Sequence, residues 1–147
     1  MNWPFFKRDS RARHAKDTPF HLTVGAWGES VAEAVLRDKG YRTLGRRVRI
    51  APHDELDLVM QTGETLVFVE VKTRANEDFG RPAQAIKPRK RHALARAARH
   101  YIQRLKTRPR YYRFDVVEVV GSPENPKPDT VRHIEAAFTI SNAPFPL

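Results

Sequence analysis

Cysteine is absent from this chain of 147 residues, and its absence excludes disulfide bonds, thiolate nucleophiles and cysteine-ligated zinc. The six histidines are scattered along the sequence and form no zinc-binding pattern. The seven glycines form neither a phosphate-binding loop nor the G-x-S-x-G turn of a serine hydrolase. Enzyme classes that depend on zinc, thiols or such loops are therefore not indicated.

Long apolar runs are also missing, and no segment has the length that a membrane-spanning helix requires. Residues 1–22 are basic and lack an apolar core followed by a small-residue cleavage site. We therefore expect a flexible basic N-terminal arm rather than a secretion signal, and a cytoplasmic protein.

Positive charge is the property that the sequence has in excess. Lysine and arginine number 27 against 17 acidic residues, which gives a net charge of +10 and predicts a polyanionic partner. Residues 87–110 contain ten of these cations and no acid. A nucleic acid, a membrane surface and a merely solvated helix face all fit this segment. We favour the nucleic acid, and the core-facing spacing of the apolar positions of the helix disfavours a membrane surface. The candidate nucleic-acid-binding residues are Lys87, Arg89, Lys90, Arg91, Arg96 and Arg99.

Helix and strand patterns alternate along one domain, residues 23–140, which an irregular tail follows at 141–147. The apolar spacing predicts a helix over residues 24–39, and the basic segment predicts a second helix with Pro88 near its first turn. Strands are predicted over residues 41–50, 55–60, 65–73, 111–120 and 129–140. The alternation is typical of an α/β fold.

Charged residues interrupt the two strands of the central hairpin. Side chains alternate along a strand, so Glu70 and Lys72 share one face with Phe68. A two-residue loop at Thr62-Gly63 would place Asp57 opposite Phe68 and diagonal to Glu70, whereas a four-residue closure would place Asp57 directly opposite Glu70. Either even-length loop brings both carboxylates to the face of Lys72, and an odd loop would separate them.

The strand before the hairpin loop is expected to alternate in the same way. Strict alternation places Asp57 on one side with Glu55 and Val59, and it places the apolar residues Leu56, Leu58 and Met60 on the other side.

Glu29 is a third carboxylate that could join this group from the first helix. It falls at the edge of the apolar stripe of that helix, from which its side chain can lean over the sheet. The other interpretation is an acid in an early turn that the helix dipole stabilises.

Three carboxylates and one lysine on a strand surface are suited to phosphodiester hydrolysis. Asp57 and Glu70 offer the hard oxygen ligands that Mg²⁺ or Mn²⁺ requires, and Lys72 would orient a water molecule or stabilise developing negative charge. The alternative for Glu70 and Lys72 is an exposed ion pair on a sheet face, which is a common feature of strands.

Five segments carry a family resemblance: "GESVAEAVLRDKGYRTLGRR", "ELDLV", "FVEVKTR", "AIKPRKRHALARAARHYI" and "RFDVV". In this order they resemble the YraN-type family of small bacterial endonuclease-like proteins, which is assigned to the PD-(D/E)XK nuclease-like superfamily and is distantly similar to archaeal Holliday junction resolvases. The resemblance covers residues 25 to about 120. It implies a restriction-endonuclease-like αβββαβ core, with a mixed sheet flanked by helices.

The resemblance also implies a set of site residues. The implied catalytic residues are Asp57, Glu70, Lys72 and Glu29, and the implied metal-binding positions are Asp57, Glu70 and Val71. The sequence departs from the family pattern at two positions. Asp54 stands where relatives usually carry Gly, and Arg47 stands where Asn is frequent. Neither departure removes an implied ligand.

Together the residues and the resemblance lead to two main hypotheses about function. The first is a Mg²⁺- or Mn²⁺-dependent endonuclease that acts on DNA, with branched or single-stranded DNA among the candidate substrates. The second is a non-catalytic nucleic-acid-binding protein with a nuclease-like fold, and a basic RNA-binding accessory protein is a third interpretation. A homodimer is compatible with all three.

Overall fold

The chain forms one five-stranded sheet with a helix packed on each face, in a computed structural model that describes residues 20–76 and 86–139. The elements in chain order are α1 Phe20–Asp38, β1 Arg42–Ala51, β2 Asp54–Thr62, β3 Thr65–Arg74, α2 Pro88–Gln103, β4 Tyr111–Val120 and β5 Thr130–Phe138. The predicted alternation of helices and strands is confirmed. Residues 1–19 of the predicted arm and the predicted tail lie outside the described residues.

Helix α1 begins at Phe20, earlier than the predicted start at residue 24. Pro19 comes directly before Phe20 in the sequence, and proline is favoured at the start of a helix. The helix therefore includes residues 20–22, which were predicted to belong to the arm.

The strands follow the order β1-β2-β3-β4-β5. All neighbours are antiparallel except β3 and β4, which are parallel and are connected through α2. A parallel pair requires a crossover connection of this kind, and the basic helix provides it. The mixed sheet with flanking helices confirms the expected αβββαβ core.

Strand β3 separates two hydrophobic cores by the alternation of its side chains. Leu66 and Phe68 pack in the core under α2, whereas Val67 and Val69 pack in the core under α1. The predicted alternation of β3 is confirmed, and Glu70 continues the row of Leu66 and Phe68 on the α2 face.

The hairpin between β2 and β3 closes one residue later than the predicted Thr62-Gly63 loop. Thr62 pairs with Thr65, so the two loop residues are Gly63 and Glu64. Gly63 has a φ of 56°, in the left-handed region that favours glycine. If this register continued past its last pair, Leu58 with Val69, it would set Asp57 opposite Glu70, the arrangement predicted for a longer closure, but the ladder ends there.

Strict alternation is wrong for β2 around Asp57. Leu56 packs with Val59 in the core under α2, whereas Leu58 and Met60 pack in the core under α1. The pairing of β2 with β3 extends only as far as Leu58, so the strand is no longer held on that side when it reaches Asp57. Here β2 changes the face to which its side chains point.

A buried polar network stabilises the irregular pairing of β4 with β5. Asp115 is fully buried and accepts hydrogen bonds from the Arg113 guanidinium, from Nε2 of His133 and from the Ala136 amide. Ala136 has a positive φ of 48° beside a register shift at Phe114, and its amide is satisfied by Asp115 rather than by a regular ladder.

Within residues 20–76 and 86–139, neither helix has the length and apolar character needed to cross a membrane.

Candidate metal and nucleic-acid site

The candidate site lies where β2 and β3 diverge. The last pair in their ladder is Leu58 with Val69, and beyond it the Val71 amide donates to Oδ2 of Asp57 at 2.9 Å. The Asp57 side chain thus accepts the amide hydrogen bond that a carbonyl of a neighbouring strand would otherwise accept. The half-buried Asp57 carboxylate is thereby fixed next to Glu70.

Glu70 is the least satisfied acid of the site. Its residue surface is only 6% exposed, and its Oε1 lies 3.8 Å from Nζ of Lys72 and 3.6 Å from Nζ of Lys90. Its Oε2 is buried and has no hydrogen-bond partner. Burial, and then the nearby Asp57 carboxylate, raise the pKa of Glu70 to about 7 although both lysines oppose the rise.

This arrangement fits a divalent cation. A buried carboxylate oxygen without a donor is costly, and either a proton or a cation between Asp57 and Glu70 would remove that cost. Val71 has no polar side chain and can contribute only its main-chain carbonyl. No group of three or more His, Cys, Asp or Glu residues suited to a metal occurs in the part of the chain that the structure describes. Water and substrate phosphate would complete the coordination, as is usual for Mg²⁺.

Glu29 reaches the site from the other side of the sheet. Helix α1 packs on the face opposite Glu70, and a Cβ on Gly28 would lie 1.9 Å from Oγ1 of Thr73, so glycine permits this close approach. Glu29 Oε2 accepts from Nε of Arg47 at 2.6 Å. Burial raises the pKa of Glu29, Arg47 opposes the rise and Asp57 adds to it. The structure therefore brings Glu29 near Asp57.

The first turn of α2 carries the cations closest to the acids. Lys87, Arg89 and Lys90 are exposed, and Lys90 is the one whose ammonium lies beside Glu70. The first turn contains no acidic residue, and the N-cap residue Lys87 makes no side-chain cap hydrogen bond. Cations at the positive end of a helix dipole are unfavourable by themselves, which suits this surface to bound anions.

Two of the three remaining basic residues of the predicted interface, Arg91 and Arg96, have internal partners. Arg96 forms a bidentate pair with Asp54, with distances of 2.9 and 2.8 Å, and this hydrogen bonding lowers the pKa of Asp54. Arg91 donates to the carbonyl of Ile86 at 2.9 Å. Arg99 is half-buried. Two of the six predicted phosphate contacts are thus engaged within the fold.

Sequence reasoning missed an acid on β4. Glu118 is 2% exposed, is in register with Lys72, and lies 3.4 Å from the Arg132 guanidinium. Its charge inside the apolar run "VVEVV" was a visible signal. Its neighbour could not be identified, because the parallel pairing of β3 with β4 joins residues that are far apart in sequence.

Residues 28–119 match the family model described as "Uncharacterised protein family UPF0102". The chain belongs to this family. It is 46% identical to a UPF0102 protein of Symbiobacterium thermophilum over 101 residues, which cover 69% of this chain and 85% of that one. It is 42% identical to a UPF0102 protein of Syntrophomonas wolfei over 118 residues, covering 78% and 96% of the two chains. Every candidate site residue lies inside the UPF0102 region.

Proposed function

We propose that this UPF0102 protein is a metal-dependent endonuclease that hydrolyses phosphodiester bonds of DNA, with branched or single-stranded DNA as candidate substrates. The observation that carries the proposal is the buried Oε2 of Glu70, which lacks a donor and lies beside a second carboxylate, Asp57. The αβββαβ core and the resemblance to the PD-(D/E)XK nuclease-like superfamily support it.

Asp57, Glu70 and the main-chain carbonyl of Val71 are the groups that would hold Mg²⁺ or Mn²⁺. When bound, such an ion neutralises phosphate charge and lowers the pKa of an attacking water. The protein contributes the fixed orientation of Asp57, which the Val71 amide holds at 2.9 Å. It also contributes a site on the edge of a hydrophobic core, where electrostatic interactions are stronger than in water.

Lys72 is the proposed catalytic cation. Its side chain is 33% exposed, so its ammonium contacts both Glu70 and the solvent from which a substrate would arrive. From this position it would stabilise negative charge that develops on the phosphate or orient the attacking water. Glu29, held by Arg47, would act from the α1 side through its influence on Asp57.

DNA would approach along the first turn of α2. Lys87 and Arg89 are exposed there, and the positive end of the helix dipole adds to their attraction for phosphates. This surface adjoins the acids through Lys90, so a strand bound to it would pass the candidate metal site.

A non-catalytic nucleic-acid-binding protein is the second candidate function. One observation favours it: the described residues contain no third His, Cys, Asp or Glu that joins Asp57 and Glu70 as a metal ligand. In that case the ion pairs of Glu70 with Lys72 and Lys90 would serve only the fold.

The deciding experiment is a cleavage assay with Mg²⁺ or Mn²⁺ on duplex, single-stranded, flapped and four-way DNA, with RNA included. Lys72→Ala, purified identically, reveals contaminating nucleases. We expect the wild type to cut at least one DNA and Lys72→Ala to cut it about a hundredfold more slowly, with little change in DNA affinity. A wild type that cuts nothing, and a Lys72→Ala variant that differs only in melting temperature, would favour the second candidate.

A further inference from the structure

Glu70 is bracketed by two ammonium groups that come from different elements. Nζ of Lys72 on β3 lies 3.8 Å from Oε1, and Nζ of Lys90 on α2 lies 3.6 Å from the same oxygen. Lys72 already supplies a counter-charge to Glu70. Lys90 therefore places a second ammonium group at the same carboxylate oxygen.

The geometry of Lys90 leaves it available to a ligand. Its separation from Oε1 of Glu70 is longer than a charge-assisted hydrogen bond, and its side chain is 47% exposed. The residue also lies in the first turn of α2, where the dipole disfavours cations and favours anions. An anion held near Glu70 would satisfy Lys90 better than Glu70 does.

We infer that Lys90 binds the scissile phosphate itself and acts as a second catalytic lysine, opposite Lys72. The inference rests on the proposed nuclease function. A phosphate that approaches Asp57 and Glu70 through a bound ion would enter the space between the two ammonium groups, because both already converge on Oε1 of Glu70. Its negative charge grows during hydrolysis, so Lys90 would bind it more tightly in the transition state than in the ground state.

Arg89 is the matched control. It is the preceding residue, carries the same charge and is exposed, but the helix turns its side chain by about 100° away from Lys90. Arg89 would bind flanking phosphates and contribute equally to ground state and transition state. Replacing Lys90 and replacing Arg89 should therefore have different effects on kcat and KM.

The first measurement compares kcat and KM for wild type, Lys90→Ala, Lys90→Arg and Arg89→Ala. We expect Lys90→Ala to lower kcat by about tenfold or more, Lys90→Arg to recover part of it, and Arg89→Ala to raise KM by a few-fold at unchanged kcat. A wild type without activity would overturn the proposed function and this inference together. An active wild type with equal kinetics for Lys90→Ala and Arg89→Ala would overturn the inference alone.

The second measurement compares binding rather than rates, once the cleavage assay has located the linkage that the wild type cuts. DNA affinity is measured in EDTA for a native strand and for one with a neutral methylphosphonate at the linkage that the wild type cleaves. We expect the neutral linkage to weaken binding several-fold for wild type and Arg89→Ala, but not for Lys90→Ala, because the interacting charge is gone. Equal losses for all three proteins would show that Lys90 does not contact that phosphate.

Discussion

Two buried carboxylates on the neighbouring strands β3 and β4 have opposite surroundings. Asp115 has no exposed surface, and its two oxygens accept four hydrogen bonds from Arg113, His133 and Ala136. Glu70 is 6% exposed, yet one of its oxygens accepts none. Both acids are buried, but the charge of Asp115 is compensated far more completely than that of Glu70.

The network around Asp115 is complete as it stands. Nδ1 of His133 lies 3.1 Å from the Lys39 ammonium, which can only donate, so the ring accepts there and donates from Nε2 to Asp115. Such a group serves the architecture of the β4–β5 edge. Glu70, by contrast, retains unused acceptor capacity beside Asp57, which is what a cation-binding site requires.

The largest expected effect comes from disturbing the complete network. Asp115→Asn replaces an oxygen by an amide donor, so two of the donors from Arg113, His133 and Ala136 lose their acceptor. We expect a loss of about 3–5 kcal/mol in the free energy of unfolding, measured by urea denaturation. A loss below about 1 kcal/mol would remove the distinction between the two acids.

The next largest effect concerns Glu70. Removing the charge of Glu70 should increase the free energy of unfolding, whereas removing that of Asp115 should decrease it. The pKa of Glu70 is about 7 in the folded protein against 4.5 ordinarily, so the folded state binds the proton more tightly. The associated stability is fully present below pH 4.5 and is lost as the pH rises through 7, by about 3 kcal/mol at most.

Glu70→Gln should abolish that loss. In EDTA, we expect the variant to gain stability relative to wild type between pH 5 and pH 8, since the amide has no charge to bury. Urea denaturation at both pH values measures the change. Parallel pH profiles for the two proteins would contradict the raised pKa of Glu70.

The smallest expected effect is a change in the salt dependence of DNA binding when cations near the site are removed. Replacing Lys87 and Arg89 with alanine should reduce the slope of log affinity for DNA against log salt by roughly two units, because two phosphate contacts are removed. The control is the charge-matched pair Lys106→Ala and Lys127→Ala, both exposed and outside α2. Equal slopes for the two double variants would show that α2 is not the DNA-binding surface.

The core of the fold could be predicted because its local signals agree. Strand β4 begins and ends at the predicted residues, and Leu66, Phe68 and Glu70 share a face as alternation requires. The hairpin loop was misplaced by one residue because Thr62, Gly63 and Glu64 all tolerate a turn. The pairing of Thr62 with Thr65 distinguishes the two closures.

The site was predictable in part. Asp57 and Glu70 lie together as predicted, although the strict alternation on which that prediction rested is wrong for β2 at Asp57. The face covered by α1 depends on the approach of Gly28 to Thr73 and has no local signature. The contact of Lys90 with Glu70 depends on how α2 crosses the sheet. Tertiary packing determines such contacts, so residue spacing could not reveal them.

The most direct test of the central claim, that Asp57 and Glu70 form a divalent-cation site, is the melting temperature of the protein with and without Mg²⁺ or Mn²⁺. We expect the metal to raise the melting temperature of the wild type by several degrees, and Asp57→Asn to fold normally but to lose most of that rise. Glu124→Gln, which changes an exposed acid in the β4–β5 connection, should retain it. An equal rise in wild type and Asp57→Asn would contradict the claim.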